Sequence, residues 1–154
     1  MKPRVTLLDV NILIALCDGH HEHHIEASQW FIANEKHGWA TCPLTQNGAI
    51  RIMSLPRYPT PRPVGMVTQQ ISKMCSSANH HFWSDNISIC DSEQIAHKHL
   101  LGHNQITDVY LLALAVHHQA RFLTLDAGIP IQAVKAANKN DLIRLVNPTK
   151  QKAP

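Results

Sequence analysis

Val5-Thr6-Leu7-Leu8-Asp9 reads as a short buried strand, an apolar run closed by an acid. Arg121-Phe122-Leu123-Thr124-Leu125-Asp126 repeats the pattern near the other end of the chain. Working outward, Asn11 to Leu16 begins a helix, and Ile25 to Lys36 continues helical with Ala27, Trp30, Phe31 and Asn34 on a 3–4 spacing, ended by Gly38. Trp39 to Leu44 predicts a second strand, and Thr45 then caps a helix carrying Gln46, Ile50, Arg51 and Met53. Pro56, Pro59, Pro61 and Pro63 impose an extended loop. Val64 to Ser77 predicts a helix and Ile87 to Cys90 a strand. Asp91 or Ser92 then caps a helix over Glu93 to Leu101. After Gly102, Thr107 caps an apolar helix from Asp108 to about Gln119, and Leu142 to Val146 forms the last strand. Strands alternating with helices imply a doubly wound α/β fold, a mainly parallel central sheet with helices on both faces. The expected organisation is one domain over residues 1–147 and a polar tail over 148–154.

The bulk numbers agree with a single globular domain. The chain has 154 residues, 44% of them apolar and 16% charged. No run approaches the roughly 18 apolar residues of a membrane helix. The opening Met-Lys-Pro-Arg leads straight into the first strand, without the apolar core and cleavage site of a signal peptide, so a cytoplasmic protein is expected. Cys17, Cys42, Cys75 and Cys90 are widely spaced and read as reduced, mostly buried thiols. The formal charge of +3 is compatible with a polyanionic substrate without demonstrating one. Ten of the twelve histidines cluster at 20–24, 80–81, 97–99 and 117–118, and all would add positive charge at mildly acidic pH.

In a doubly wound sheet, ligands bind beyond the carboxyl ends of the strands. Asp9 and Asp126 each close a predicted strand, and Asp108 lies in the first turn of a helix, where the dipole favours a carboxylate. Asn11 and Gln46 follow strand ends as well. Three gathered carboxylates repel one another, and a hard Mg²⁺ or Mn²⁺ relieves that repulsion. Such an ion lowers the pKa of a bound water and stabilises charge on a phosphodiester in flight. An aspartate that closes a strand is also a common turn former or cap, so spacing alone leaves both readings open.

Four segments resemble the PIN-domain family, specifically the VapC-type ribonuclease toxins of toxin–antitoxin pairs. They are Leu7-Leu8-Asp9-Val10-Asn11-Ile12-Leu13-Ile14-Ala15-Leu16, Trp39 to Gly48 with Arg51, Gln105-Ile106-Thr107-Asp108-Val109-Tyr110-Leu111-Leu112-Ala113-Leu114-Ala115, and Phe122-Leu123-Thr124-Leu125-Asp126. They occur in the family's order and span nearly the whole domain. The resemblance implies a PIN-like α/β/α fold, Mg²⁺ or Mn²⁺ dependence and endonucleolytic cleavage of RNA. It also implies a small antitoxin whose tail plugs the acidic groove, and a homodimer. Asp9, Asp108 and Asp126 match the family's catalytic, metal-holding aspartates, with Asn11, Thr45, Gln46 and Arg51 as the supporting shell. The family usually carries a glutamate in the second motif, where this chain has Gln46 or Asn47. The alternative is therefore a PIN-like binding module with impaired catalysis, acting through RNA or a partner.

The remaining candidates are weighed against plainer roles. Arg51 serves a phosphate or a structural ion pair. His20 and His24 share a helix spacing, but no acid or cysteine at zinc spacing accompanies them, so a polar loop is expected. His103, just before the third motif, is a possible RNA contact or a structural histidine. A haloacid-dehalogenase-type phosphatase needs a second aspartate two residues after the first, where Asn11 stands. Neither G-x-G-x-x-G nor G-x-x-x-x-G-K occurs, which removes dinucleotide and P-loop enzymes.

Overall fold

The computed structural model describes residues 2–145. Five short strands form one sheet: β1 (Thr6–Leu8), β2 (Trp39–Thr41), β3 (His80–Phe82), β4 (Arg121–Thr124) and β5 (Leu142–Arg144). Their order is β3-β2-β1-β4-β5 and every neighbouring pair is parallel. The helices between them are α1 (Val10–Cys17), α2 (His24–Asn34), α3 (Pro43–Met53), α4 (Val64–Cys75) and α5 (Ile106–His117).

Strand alternation divides the apolar residues between two cores, one on each face. Leu7, Ala40 and Phe122 point to the face covered by α5, where they meet Val109, Leu112 and Ala113. Leu8, Trp39 and Leu123 point to the other, where they meet Ile12, Leu13, Met53, Val67 and Ile71 of α1, α3 and α4. Both faces are thus covered by helices, as the α/β/α pattern requires. The sharp entry to β2 uses Gly38, whose φ of +94° suits glycine. A Cβ there would stand 2.9 Å from Val5 Cγ2.

Several elements differ from their expected positions. The strand expected at Ile87 to Cys90 is absent, and β3 is the histidine-bearing His80–Phe82. As an edge strand β3 is half exposed and carries no apolar run to announce it. Ile87 and Ile89 instead pack as loop residues against the α5 core. The helix expected over Glu93 to Leu101 reduces to a turn in which Asp91 Oδ1 accepts from Glu93 N, and a 3₁₀ turn at His97–His99. Ile95 forms an antiparallel bridge with Val134, so Gln94 and Ala96 bond to Lys135 and Ala133 rather than within a helix. Tertiary pairing overrides local preference there.

β2 stops at Thr41 because Pro43 opens α3, with Cys42 as its N-cap and Thr45 in the third helical position. Likewise Thr107 is not the cap of α5, which starts at Ile106 after a 3₁₀ turn at His103–Gln105. The Gln105 side chain closes that entry by accepting from Leu101 N and Gly102 N. The expected end of the last strand at Val146 and the tail at 148–154 lie outside the described residues. No helix is long and apolar enough to cross a membrane, among the described residues.

Candidate active site

The strand order reverses direction at β1 and β4, and the crevice at that switch point is where a doubly wound sheet binds ligands. Asp9 leaves β1 and Asp126 leaves β4 at this edge, and the first turn of α5 brings Asp108. One carboxylate oxygen from each lies within 4.8 Å of the others, forming the metal-capable group among the described residues. Burial is graded across the trio. Asp9 is 4% exposed, Asp108 is partly buried and Asp126 is open to solvent.

Asp9 is also the N-cap of α1, its Oδ1 accepting from Val10 N at 2.7 Å. Its Oδ2 accepts from the Thr124 hydroxyl at 2.6 Å, and Thr124 Oγ1 in turn accepts from Asp126 N at 3.0 Å. One buried hydroxyl therefore ties two of the three acids together. Asn11 Oδ1 accepts from Leu125 N at 3.2 Å and fixes the path of the chain into Asp126. Thr124 was not among the expected site residues, although its place two residues before a strand-closing aspartate is the signal that marks it.

Burial raises Asp9 to about 7, opposed by the Thr124 hydrogen bond and reinforced by the charges of Asp108 and Asp126. Burial and then the Asp126 charge raise Asp108 to about 6. The ion pairs among the described residues join Arg4 to Asp141 and His23 to Glu22, so neither offsets this charge.

The acids stand between two hollows. One of about 870 Å³ is lined by Asp9, Asn47, Arg51 and Thr107, with apolar walls that include Val10 and Leu44. The other, of about 350 Å³, is lined by Asp108 and Asp126 with Asn104 and Gln105. Thr107 and Asp108 are consecutive, so the hollows adjoin across the start of α5.

The expected supporting residues divide. Asn11 stands in the site, and Arg51 lines the larger hollow, exposed and without a hydrogen bond or ion pair among the described residues. Thr45 is fully buried and holds the start of α3, its Oγ1 accepting from Cys42 N at 3.0 Å. Gln46 is directed away from the acids, donating to Thr41 Oγ1 at 3.0 Å beside Cys75 and β3. Asn47 faces the Asp9 hollow in its place, because one residue along a helix turns a side chain by about 100°. His103 is exposed and lines neither hollow. The histidines at 20–24 form no metal-capable group, and the four cysteines are free.

No protein-family model matches the chain. Similarity to curated proteins is nonetheless extensive. Ribonuclease VapC44 of Mycobacterium tuberculosis is 44% identical over 139 residues, covering 90% of this chain and 98% of that protein. Ribonuclease VapC38 of the same organism is 36% identical over 127 residues, covering 81% and 87%. Among solved structures, VapBC2 from Rickettsia felis, bound to a promoter DNA fragment, aligns with a TM-score of 0.60 at 11% identity over 91% of this chain and 98% of that one. Mycobacterium tuberculosis VapC20, a sarcin-ricin loop cleaving toxin, aligns at 0.57 with 9% identity, covering 80% and 89%. The structural likenesses speak for the fold and the 44% identity for descent, and together they make this chain a member of the VapC ribonuclease family of PIN domains.

Proposed function

We propose that this protein is the toxin of a toxin–antitoxin pair, an endoribonuclease that uses Mg²⁺ or Mn²⁺ at Asp9, Asp108 and Asp126 to hydrolyse RNA phosphodiesters. The observation that carries the reading is the convergence of three carboxylates within 4.8 Å, none of them in an ion pair among the described residues. Two of these acids are raised toward neutral pH by burial and mutual repulsion. That donor set suits a hard divalent ion, which binds through one or two carboxylates and keeps several waters. A bound ion supplies Lewis-acid stabilisation of charge developing on the phosphate.

The chain's own residues do the rest. Asp9 and Asp108 would hold the ion, and the exposed Asp126 would help bind it or orient the attacking water. Thr124 holds Asp9 and Asp126 in register, and Asn11 fixes the backbone between them. Asn47 adds an amide without a charge, and Arg51 faces the hollow where a phosphate would lie. The apolar wall formed by Val10, Leu44, Ile50 and Val64 suits an antitoxin segment laid across the acids.

Incubating the purified protein with structured and unstructured RNA, with and without Mn²⁺, tests the chemistry. Cleavage that needs Mn²⁺ and is lost in Asp108→Asn is expected. The impaired-module reading draws on Gln46 standing where the family usually has a glutamate, and on the absence of a fourth carboxylate from the metal-capable group among the described residues. Mn²⁺ and RNA binding without cleavage would establish it.

A further inference from the structure

All five strands run parallel, so their first residues gather at the edge of the sheet opposite the aspartates. A cleft of about 420 Å³ opens there, lined by Lys2, Arg4, His37, Arg121 and Lys139 and by no carboxylate among the described residues. Among the described residues, the acid paired with one of these cations is the buried Asp141, which accepts from Arg4 Nη1 at 2.8 Å. Four lysines and arginines less this one aspartate leave three positive charges at the cleft.

Arg121 is partly buried, unlike the exposed Lys2 and Lys139. Its Nη2 donates to Thr6 Oγ1 at 3.3 Å, but its Nε–H is buried without an acceptor among the described residues. Burial, and then the charge of Arg4, hold its pKa below the usual arginine value. Guanidinium groups that repel one another, one with an idle donor, are the inverse of the aspartate cluster, and an anion between them removes both costs.

We propose that this cleft binds backbone phosphate of the RNA substrate, as a second contact on the opposite edge of the sheet from the aspartates. The inference rests on RNA being the substrate. Arg121 and Asp126 are five residues apart along a nearly extended chain, about 16 Å at about 3.3 Å per residue. A strand reaching both sites must therefore extend well beyond the scissile bond.

Anisotropy of labelled single-stranded RNA in EDTA reads this contact without any need for catalysis. Lys2→Glu/Lys139→Glu is expected to weaken a long RNA about tenfold and to flatten the dependence of log affinity on log salt by about 1.4, two phosphates at about 0.7 each. Lys2→Arg/Lys139→Arg should bind as the wild type, and a dinucleotide should not distinguish the two variants. Unchanged affinity and slope in the Glu variant overturn the proposal. Inorganic phosphate that shifts the His37 resonances without competing with RNA also overturns it, since the occupant is then a small anion. Failure of the wild type to cut RNA in Mn²⁺ would remove the nuclease reading but leave this binding result standing, so the two failures are distinguishable.

Discussion

At the residue scale the decisive fact is where a carboxylate's cost is carried. Asp108 accepts no hydrogen bond among the described residues and sits beside Asp126, so its charge is opposed and only the start of α5 supports it. Asp108→Asn keeps the shape and removes the charge. The metal-free variant should gain about 1 kcal/mol at neutral pH, discounted for partial exposure, while Mn²⁺-dependent cleavage falls at least ~100-fold. Thermal melting and RNA cleavage on one preparation check both halves. Thr124→Val removes the hydroxyl that opposes the upward shift of Asp9. Mn²⁺ affinity should fall about tenfold or more, and the pH needed for binding should rise, measured by calorimetry across pH. The two amides give a contrast: Asn47→Ala should impair cleavage more than Gln46→Ala, because only Asn47 faces the Asp9 hollow. The acids were legible in the sequence because each closes a strand or opens a helix. The choice between Gln46 and Asn47 was not, since it depends on where α3 begins, and Cys42 rather than Thr45 is its cap.

At the element scale the site depends on how closely α3 approaches α1. Gly48 sits where the helices touch, and a Cβ there would lie 2.8 Å from Val10 Cγ2. Alanine in a helix interior ordinarily gains about 1 kcal/mol over glycine. Here the branched Val10 side chain has few rotamers with which to move aside. Gly48→Ala should therefore lose about 1 kcal/mol net and displace Asn47 and Arg51 from Asp9, lowering cleavage more than the stability change explains. Urea unfolding and cleavage assays separate the two effects. The elements read correctly from sequence are those with strong local patterns: the Leu7-Leu8 and Phe122-Leu123 runs, the Gly38 break and the apolar α5. β3 and the 93–101 segment were misread for one physical reason. The histidines of an edge strand and the pairing of Ile95 with Val134 derive their structure from neighbours distant in sequence, which no local period records.

At the scale of the whole molecule, charge is separated by the sheet itself: uncompensated acids at one edge and uncompensated bases at the other. The acidic edge makes stability depend on pH in a direction opposite to ordinary acid denaturation. An unfolded aspartate titrates near 3.9, whereas Asp9 titrates near 7 and Asp108 near 6 in the fold. Between those limits the native state binds more protons than the unfolded state, so the slope of unfolding free energy with pH is negative. The contribution is fully present below about pH 4 and is lost as pH rises through 6 and 7. His21, His80 and His118, whose pKa values burial lowers, give the opposite slope, so the trend is read as a difference: the melting temperature of the metal-free protein relative to that of Asp108→Asn should decline from about pH 5 to pH 7.5. Divalent ions compete with those protons, so Mn²⁺ should bind more tightly as pH rises and restore the lost stability most at the upper end. Melting curves at a series of pH values, in EDTA and in Mn²⁺, test both trends at once. A wild-type curve that stays parallel to that of Asp108→Asn in EDTA, with no larger gain from Mn²⁺ at high pH, would mean that the three aspartates do not share one uncompensated site.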